Sequence, residues 1–239
     1  MNTEKIIKKD VKMIAHRGVS GLEKENTAAA FVAAGNRSYF GIETDIHCTA
    51  DGKFIIIHDD TTTRVTGIEK TVEETDFDAL RAMKILDLDG ESTRGDLCMP
   101  TLEEYIGICK KYEKIAVLEL KNPMEEKSVF EIVDVIKKME YLDNTVFISF
   151  AFDNLVYVRR RAPEQKVQFL FSEFSDEIIA RVKEHGFDVD VKYTALTREI
   201  IEALHADGIE INCWTVNKRE DAERLVSWGI DYITTNILE

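Results

Sequence analysis

Gly41-Ile42-Glu43-Thr44-Asp45-Ile46-His47-Cys48-Thr49-Ala50-Asp51-Gly52-Lys53-Phe54-Ile55-Ile56-Ile57-His58-Asp59 is the stretch from which the rest of the chain is read. Residues 41–47 have a strand pattern, in which successive side chains alternate faces, so Glu43, Asp45 and His47 point the same way and two carboxylates share one small volume. Asp51-Gly52 is a strong hairpin signal, and the apolar run Phe54-Ile55-Ile56-Ile57 is the returning strand. With residues 51 and 52 as a two-residue loop, Ala50 pairs with Lys53, and His58 stands across from Asp45.

Outward from this hairpin, short apolar runs bounded by turn signals alternate with longer helical patterns, the mark of βα units around a parallel sheet. The strand candidates are 12–16, 41–47, 115–120, 146–150, 166–171, 187–192, 209–215 and 231–235. Eight is the number a closed (β/α)8 barrel requires, and a chain of 239 residues is close to the usual length of one. Helix starts are marked by Thr101 with Glu104, a capping box, and by Asn217 with Glu220, a weaker variant. No linker, repeat or low-complexity tract marks a second domain of equal rank, so residues 1–239 read as one domain. The exception is the stretch from about 60 to 99, with a short helix near 76–84. It has too few large apolar residues for a core of its own and reads as an insertion packed over the barrel. The last strand candidate ends close to Glu239, so an eighth outer helix is expected to be short or missing, with the N-terminal segment covering part of the barrel instead.

Composition narrows the function. A hydrophobic content of 44% beside 32% charged residues is that of a globular chain rather than a disordered one. The formal net charge of −14 opposes attraction to nucleic acid or to an anionic membrane surface. Cys48, Cys98, Cys109 and Cys213 lie far apart, forming neither a zinc motif nor a disulfide framework, and the polar N-terminus lacks the apolar region of a secretion signal. The sequence therefore reads as cytoplasmic, without stable membrane association, and it assigns no oligomeric state.

The chemistry is concentrated at the ends of the strand candidates. Ile14-Ala15-His16-Arg17-Gly18 closes the first, and Ile115-Ala116-Val117-Leu118-Glu119-Leu120-Lys121 puts Glu119 and Lys121 on one face at the end of another. Each alone has a bland reading, a salt bridge at the barrel mouth or a satisfied core histidine. Three carboxylates, two imidazoles, an arginine and a lysine together at strand C-termini instead describe an active site, because the barrel's bottom and interior offer no water for charge. His47 is a weaker candidate, and His185 and His205 fall in helix-end patterns that favour structural roles. Unpaired, the carboxylates would repel one another. A divalent cation removes that repulsion, and the all-oxygen set Glu43, Asp45 and Glu119 suits hard Mg²⁺ or Ca²⁺. With Arg17 and Lys121 it makes a cationic spot in an acidic chain, fit for a small phosphate substrate. Trp214, at a strand end, is a candidate wall for that substrate, with its indole N–H free for an oxygen.

These residues resemble the glycerophosphodiester phosphodiesterase family over nearly the whole chain. His16-Arg17-Gly18, Glu25-Asn26-Thr27 and Glu43-Thr44-Asp45, leading through Thr49 and Asp51-Gly52 to His58-Asp59, follow the family's N-terminal motif in order and spacing. Pro100-Thr101-Leu102, Glu119-Leu120-Lys121 and Trp214-Thr215-Val216-Asn217 resemble its later motifs. The resemblance implies a TIM barrel with a small insertion after strand 2. It also implies His16 and His58 as the acid/base pair, Glu43, Asp45 and Glu119 as metal ligands, and Arg17 and Lys121 on the phosphate. Its implied reaction is metal-dependent hydrolysis of a small glycerophosphodiester to an alcohol and glycerol 3-phosphate. The nucleophile is water or, as the resemblance favours, the substrate's own glycerol 2-hydroxyl. A lysophospholipase D-like phosphodiesterase would need an apolar groove, for which the polar insertion gives no support, and a noncatalytic phosphate-binding barrel would not need both histidines. The chain departs from the family at Thr235-Asn236-Ile237, where Asn236 stands for the usual Asp and no Pro follows.

Overall fold

The computed structural model describes residues 2–239, and it is a closed parallel barrel. Eight strands form the wall: β1 (Lys12–Ala15), β2 (Gly41–Cys48), β4 (Ile115–Leu120), β5 (Thr145–Ser149), β6 (Val167–Phe171), β7 (Asp188–Lys192), β8 (Ile211–Trp214) and β9 (Tyr232–Thr235). Each pairs in parallel with the next, and β9 and β2 both pair with β1, which closes the ring. Outside it lie α1 (Ala28–Gly35), α4 (Leu102–Lys111), α5 (Glu126–Lys138), α6 (Phe152–Arg161), α7 (Asp176–His185), α8 (Arg198–Ala206) and α9 (Arg219–Trp228). No helix follows β9 among the described residues. Residues 237–239 instead run beside Glu4 and Ile6, with three backbone hydrogen bonds between the two segments. Among the described residues no helix is long and apolar enough to cross a membrane.

The helices form where local chemistry satisfies their first turns. Thr27, Ser175 and Thr197 each accept from a backbone N–H three residues on, and Thr101 with Glu104 makes the full capping box. Asn217 does not cap α9. Its Oδ1 accepts from the Thr235 hydroxyl and the Asn236 N–H, so the weak cap motif serves as a tie to the chain end, and α9 starts after Lys218 without a side-chain cap. In α5 the buried Val129, Ile132, Val133 and Ile136 recur at helical spacing and face the barrel.

The hairpin differs from its expected register by one residue. β3 (Phe54–Ile56) pairs with β2 through His47 opposite Ile55 and Cys48 opposite Phe54. The loop is three residues, not two: the Gly52 N–H donates to the Thr49 carbonyl, Gly52 lies at φ +74°, and the Thr49 N–H closes on the Lys53 carbonyl. A type I turn followed by a left-handed glycine has this form. Asp45 consequently faces Ile57, whose N–H it accepts, and His58 stands one position further on.

The segment after β3 carries α2 (Thr63–Thr66) and α3 (Phe77–Arg81). Val65, Val72, Leu80, Ile85, Leu97 and Met99 pack with Ile55 and Ile57 of the hairpin in a cluster separate from the main core. The insertion is thus seated on the hairpin. The premise that charge avoids the barrel's bottom does not hold. Lys12, Lys166, Asp188, Glu210 and Tyr232, all at or beside strand starts, form a paired network there, with Lys166 bonded to Glu210. Lys12, Lys166 and Glu210 are 35–37% exposed, so solvent as well as mutual pairing satisfies them.

Candidate active site

Strand alternation builds the site. Along β4 the inward positions are Ile115, Val117 and Glu119. Ile14 and Val117 join Val146, Ile148, Leu170 and Tyr232 in an apolar plug inside the barrel, and the next inward position on each of the first three wall strands is ionisable. Glu43, Asp45 and Glu119 are all buried, and each offers an oxygen within 4.8 Å of the others. Above the plug opens a cleft of about 450 Å³, including its mouth, with His16, Arg17, Glu43, His58, Glu119 and Trp214 in its wall.

The turn after β1 is shaped for this. Arg17 and Gly18 are consecutive left-handed residues, at φ +54° and +76°, which turns the Arg17 N–H onto Glu43 Oε2 at 2.7 Å. A Cβ on Gly18 would lie 2.6 Å from the Ala30 backbone, so only glycine fits. The Arg17 guanidinium donates to Glu25 Oε1 at 2.8 Å, and its Nε stands 3.5 Å from Asp45 Oδ2. Lys121 Nζ lies 2.8 Å from Glu119 and 3.7 Å from Asp45. Asn26, also left-handed, donates to Asp45 Oδ2 at 2.8 Å while accepting from Thr44.

The carboxylates do not titrate alike. Burial, with the neighbouring Asp45, pushes Glu43 well up and Glu119 up to about 7. Burial opposes charge on Asp45 too, but Arg17 and Lys121 outweigh it and hold its pKa below the ordinary value. Glu43 and Glu119 are thus pushed toward their protonated forms beside the Asp45 anion, the response expected of like charges at close range. Asp45 Oδ1 is buried with no hydrogen-bond partner, so the donor set has an oxygen to spare, and three hard oxygens suit a hard divalent ion.

Each imidazole has one ring nitrogen held. His16 Nδ1 is 2.6 Å from Asn236 Oδ1, and its Nε2 faces Glu43 Oε2 at 4.0 Å. His58 Nδ1 is 2.6 Å from Asp59 Oδ1. Burial, then Arg17, brings His16 down to about 4. Burial also lowers His58, against the pull of Asp45.

His47 is fully buried and stands outside the Glu43, Asp45 and Glu119 group, with Nδ1 on Glu73 and Nε2 on the His58 carbonyl. His185 and His205 are bonded to the Arg181 carbonyl and to Asp231, outside the cleft. Trp214 lines the cleft, but its indole N–H points at the Asp190 carbonyl, 3.4 Å away, rather than standing free, and its ring meets Phe150 edge-on. Sequence reasoning assigned no role to Glu25, Asp59, Asn236 or Asp190. The first two adjoin motif residues, and Asn236 stands at a motif departure. Asp190, a buried acid in the cleft wall whose pKa burial and Glu119 raise, sits in an ordinary strand pattern and gave no signal.

Two imidazoles and two cations gathered over buried carboxylates at a barrel mouth form a site suited to an anionic ligand. The class of protein follows from comparison: a sequence model of the glycerophosphoryl diester phosphodiesterase family matches residues 16–239, and the chain belongs to that family, a phosphoric diester hydrolase. It is 28% identical to a glycerophosphodiester phosphodiesterase of Caldanaerobacter subterraneus, across 94% of this chain and 93% of that one. Among solved structures, an Oleispira antarctica phosphodiesterase in complex with the product sn-glycerol-3-phosphate superposes with a TM-score of 0.87 at 24% identity, covering 98% and 96% of the two chains. The glycerophosphodiester phosphodiesterase of Thermotoga maritima gives 0.75 at 25% identity, covering 95% and 94%.

Proposed function

We propose that this protein hydrolyses a small soluble glycerophosphodiester to an alcohol and glycerol 3-phosphate, with His16 and His58 moving the protons. The observation that carries the proposal is the pair of imidazoles in one cleft, each bonded through Nδ1 and so left with Nε2 for the reacting atoms. His16, beside a neutral amide and with its pKa lowered, stays unprotonated near neutrality and is the general base. His58, whose pKa burial also lowers, has the Asp59 carboxylate to stabilise its imidazolium as it forms, and on that partner it is assigned as the general acid for the departing alkoxide. Arg17 and Lys121 receive the phosphate oxygens, and Trp214 walls the glycerol as an apolar plate. Glu43, Asp45 and Glu119 are the residues that would hold Mg²⁺ or Ca²⁺. Such an ion supplies positive charge against the phosphate and lets both glutamates ionise. We read residues 1–239 as a single domain, with 60–99 as its insertion, working in the cytoplasm.

The test is product formation. Protein stripped with a chelator is given Mg²⁺ or Ca²⁺ and a panel of glycerophosphodiesters, and glycerol 3-phosphate is measured. Release that returns only with the cation is expected. A parent protein that leaves every diester intact with either ion contradicts the proposal.

A further inference from the structure

Arg64 projects from α2 in the insertion back to the barrel mouth, and it is bidentate to two carboxylates at once. Nε and Nη2 donate to Asp59, at 2.6 and 3.0 Å, and Nη1 and Nη2 donate to Glu25, both at 2.8 Å. Neither carboxylate is otherwise idle: Asp59 Oδ1 holds the His58 ring and Glu25 Oε1 holds the Arg17 guanidinium. The result is one chain of alternating charge, Arg17, Glu25, Arg64, Asp59, His58, whose two ends face the cleft and whose middle belongs to the insertion. We propose that Arg64 is a positioning residue that sets the acid/base imidazole of His58 and the guanidinium of Arg17 relative to each other. The proposal rests on the roles given to those two residues above.

Three features separate this from an ordinary surface ion pair, which contributes little. Arg64 is fixed from behind, because its neighbour Val65 is buried in the apolar cluster of the insertion and α2 ends on the left-handed Gly67. Arg64 is 46% exposed, but its partners are sheltered, with Glu25 19% and Asp59 28% exposed. Glu25 is held down to about 2, where the hydrogen bonds from Arg64 and the charge of Arg17 overcome burial. Finally, the planar five-donor fork makes two hydrogen bonds to each of two carboxylates; a lysine ammonium, with three donors on one atom, cannot reproduce both bidentate contacts. The insertion thereby takes part in the site through a single side chain.

The experiment compares Arg64→Ala, Arg64→Lys and Asp59→Ala with the parent on sn-glycero-3-phosphocholine, reading kcat, KM, and Mg²⁺ and Ca²⁺ affinity by calorimetry. Misplacing the acid/base group is expected to lower kcat about 10- to 100-fold in both Arg64 variants while metal affinity stays within about twofold. Added guanidinium ion should recover part of the Arg64→Ala loss, and the double variant Arg64→Ala/Asp59→Ala should be little slower than Asp59→Ala alone. Parent-like kcat in Arg64→Lys overturns the proposal. So does an Arg64→Ala loss that guanidinium leaves untouched and that adds in full to that of Asp59→Ala. Arg64→Lys keeps the test usable if the alanine variant does not fold. A parent inactive on glycerophosphodiesters would sink the proposed function instead, a result distinct from an active parent matched by its Arg64 variants.

Discussion

His16 Nδ1 stands 2.6 Å from Asn236 Oδ1, so the histidine just past the first barrel strand is aimed by a residue just past the last. Asn236 is itself fixed, its N–H donating to Asn217 and its carbonyl accepting from Gly21. The Nδ1 partner of His16 is therefore a neutral amide and not a carboxylate. Asn236→Asp is expected to raise the His16 pKa, since a carboxylate favours the imidazolium, and to move the acid limb of the pH–kcat profile to higher pH. An unmoved limb would show that Asn236 does not tune the base.

Gly18→Ala tests the turn that carries Arg17. The added methyl meets the Ala30 backbone and sits at φ +76°, so the variant is expected to lose about 1–3 kcal/mol of stability and to bind the diester more weakly as Arg17 shifts. Urea denaturation with an unchanged midpoint would contradict the reading of that turn.

The buried acids give a pH dependence with a definite sign in metal-free protein. Glu119 titrates near 7 in the fold and near its ordinary value of 4.5 when unfolded, so the folded state holds the extra proton between them. Its contribution is fully present below about pH 4.5 and is lost as pH rises through 7, with Glu43 acting in the same direction. Glu119→Gln, which keeps the shape without the charge, should match the parent's thermal stability at pH 5 and exceed it at pH 8. The gap should close when Mg²⁺ or Ca²⁺ is added, as the parent gains from binding and the variant gains less. Equal melting temperatures at both pH values, without metal, would mean that no proton is held there.

Much of this was legible in the chain. The eight strands were readable because each is a short, largely apolar or alternating run bounded by turn signals, and Glu43, Asp45 and Glu119 because alternation along β2 and β4 places them on one face. The hairpin register was not, since Asp-Gly suits either a two-residue loop or a three-residue loop with glycine in the left-handed position. Thr49, whose side chain binds Asp51 and Lys53, selects the second. Asn217 was misread because its local spacing resembles a cap while its partners lie at the chain end, and the Trp214 N–H because Asp190 reaches it only across β7 and β8. The bottom network of Lys12, Lys166 and Glu210 is likewise a product of barrel closure, joining strands distant in sequence.

The central claim is that two histidines exchange protons with a substrate held above three carboxylates. It is tested most directly by His16→Ala and His58→Ala, each assayed for turnover on a glycerophosphodiester at neutral pH and titrated calorimetrically with Mg²⁺ and Ca²⁺. Each variant is expected to lose on the order of 10²–10⁴ in kcat while binding the cation as the parent does, because neither imidazole belongs to the carboxylate set. Near-parent turnover in either variant would contradict the two-histidine account.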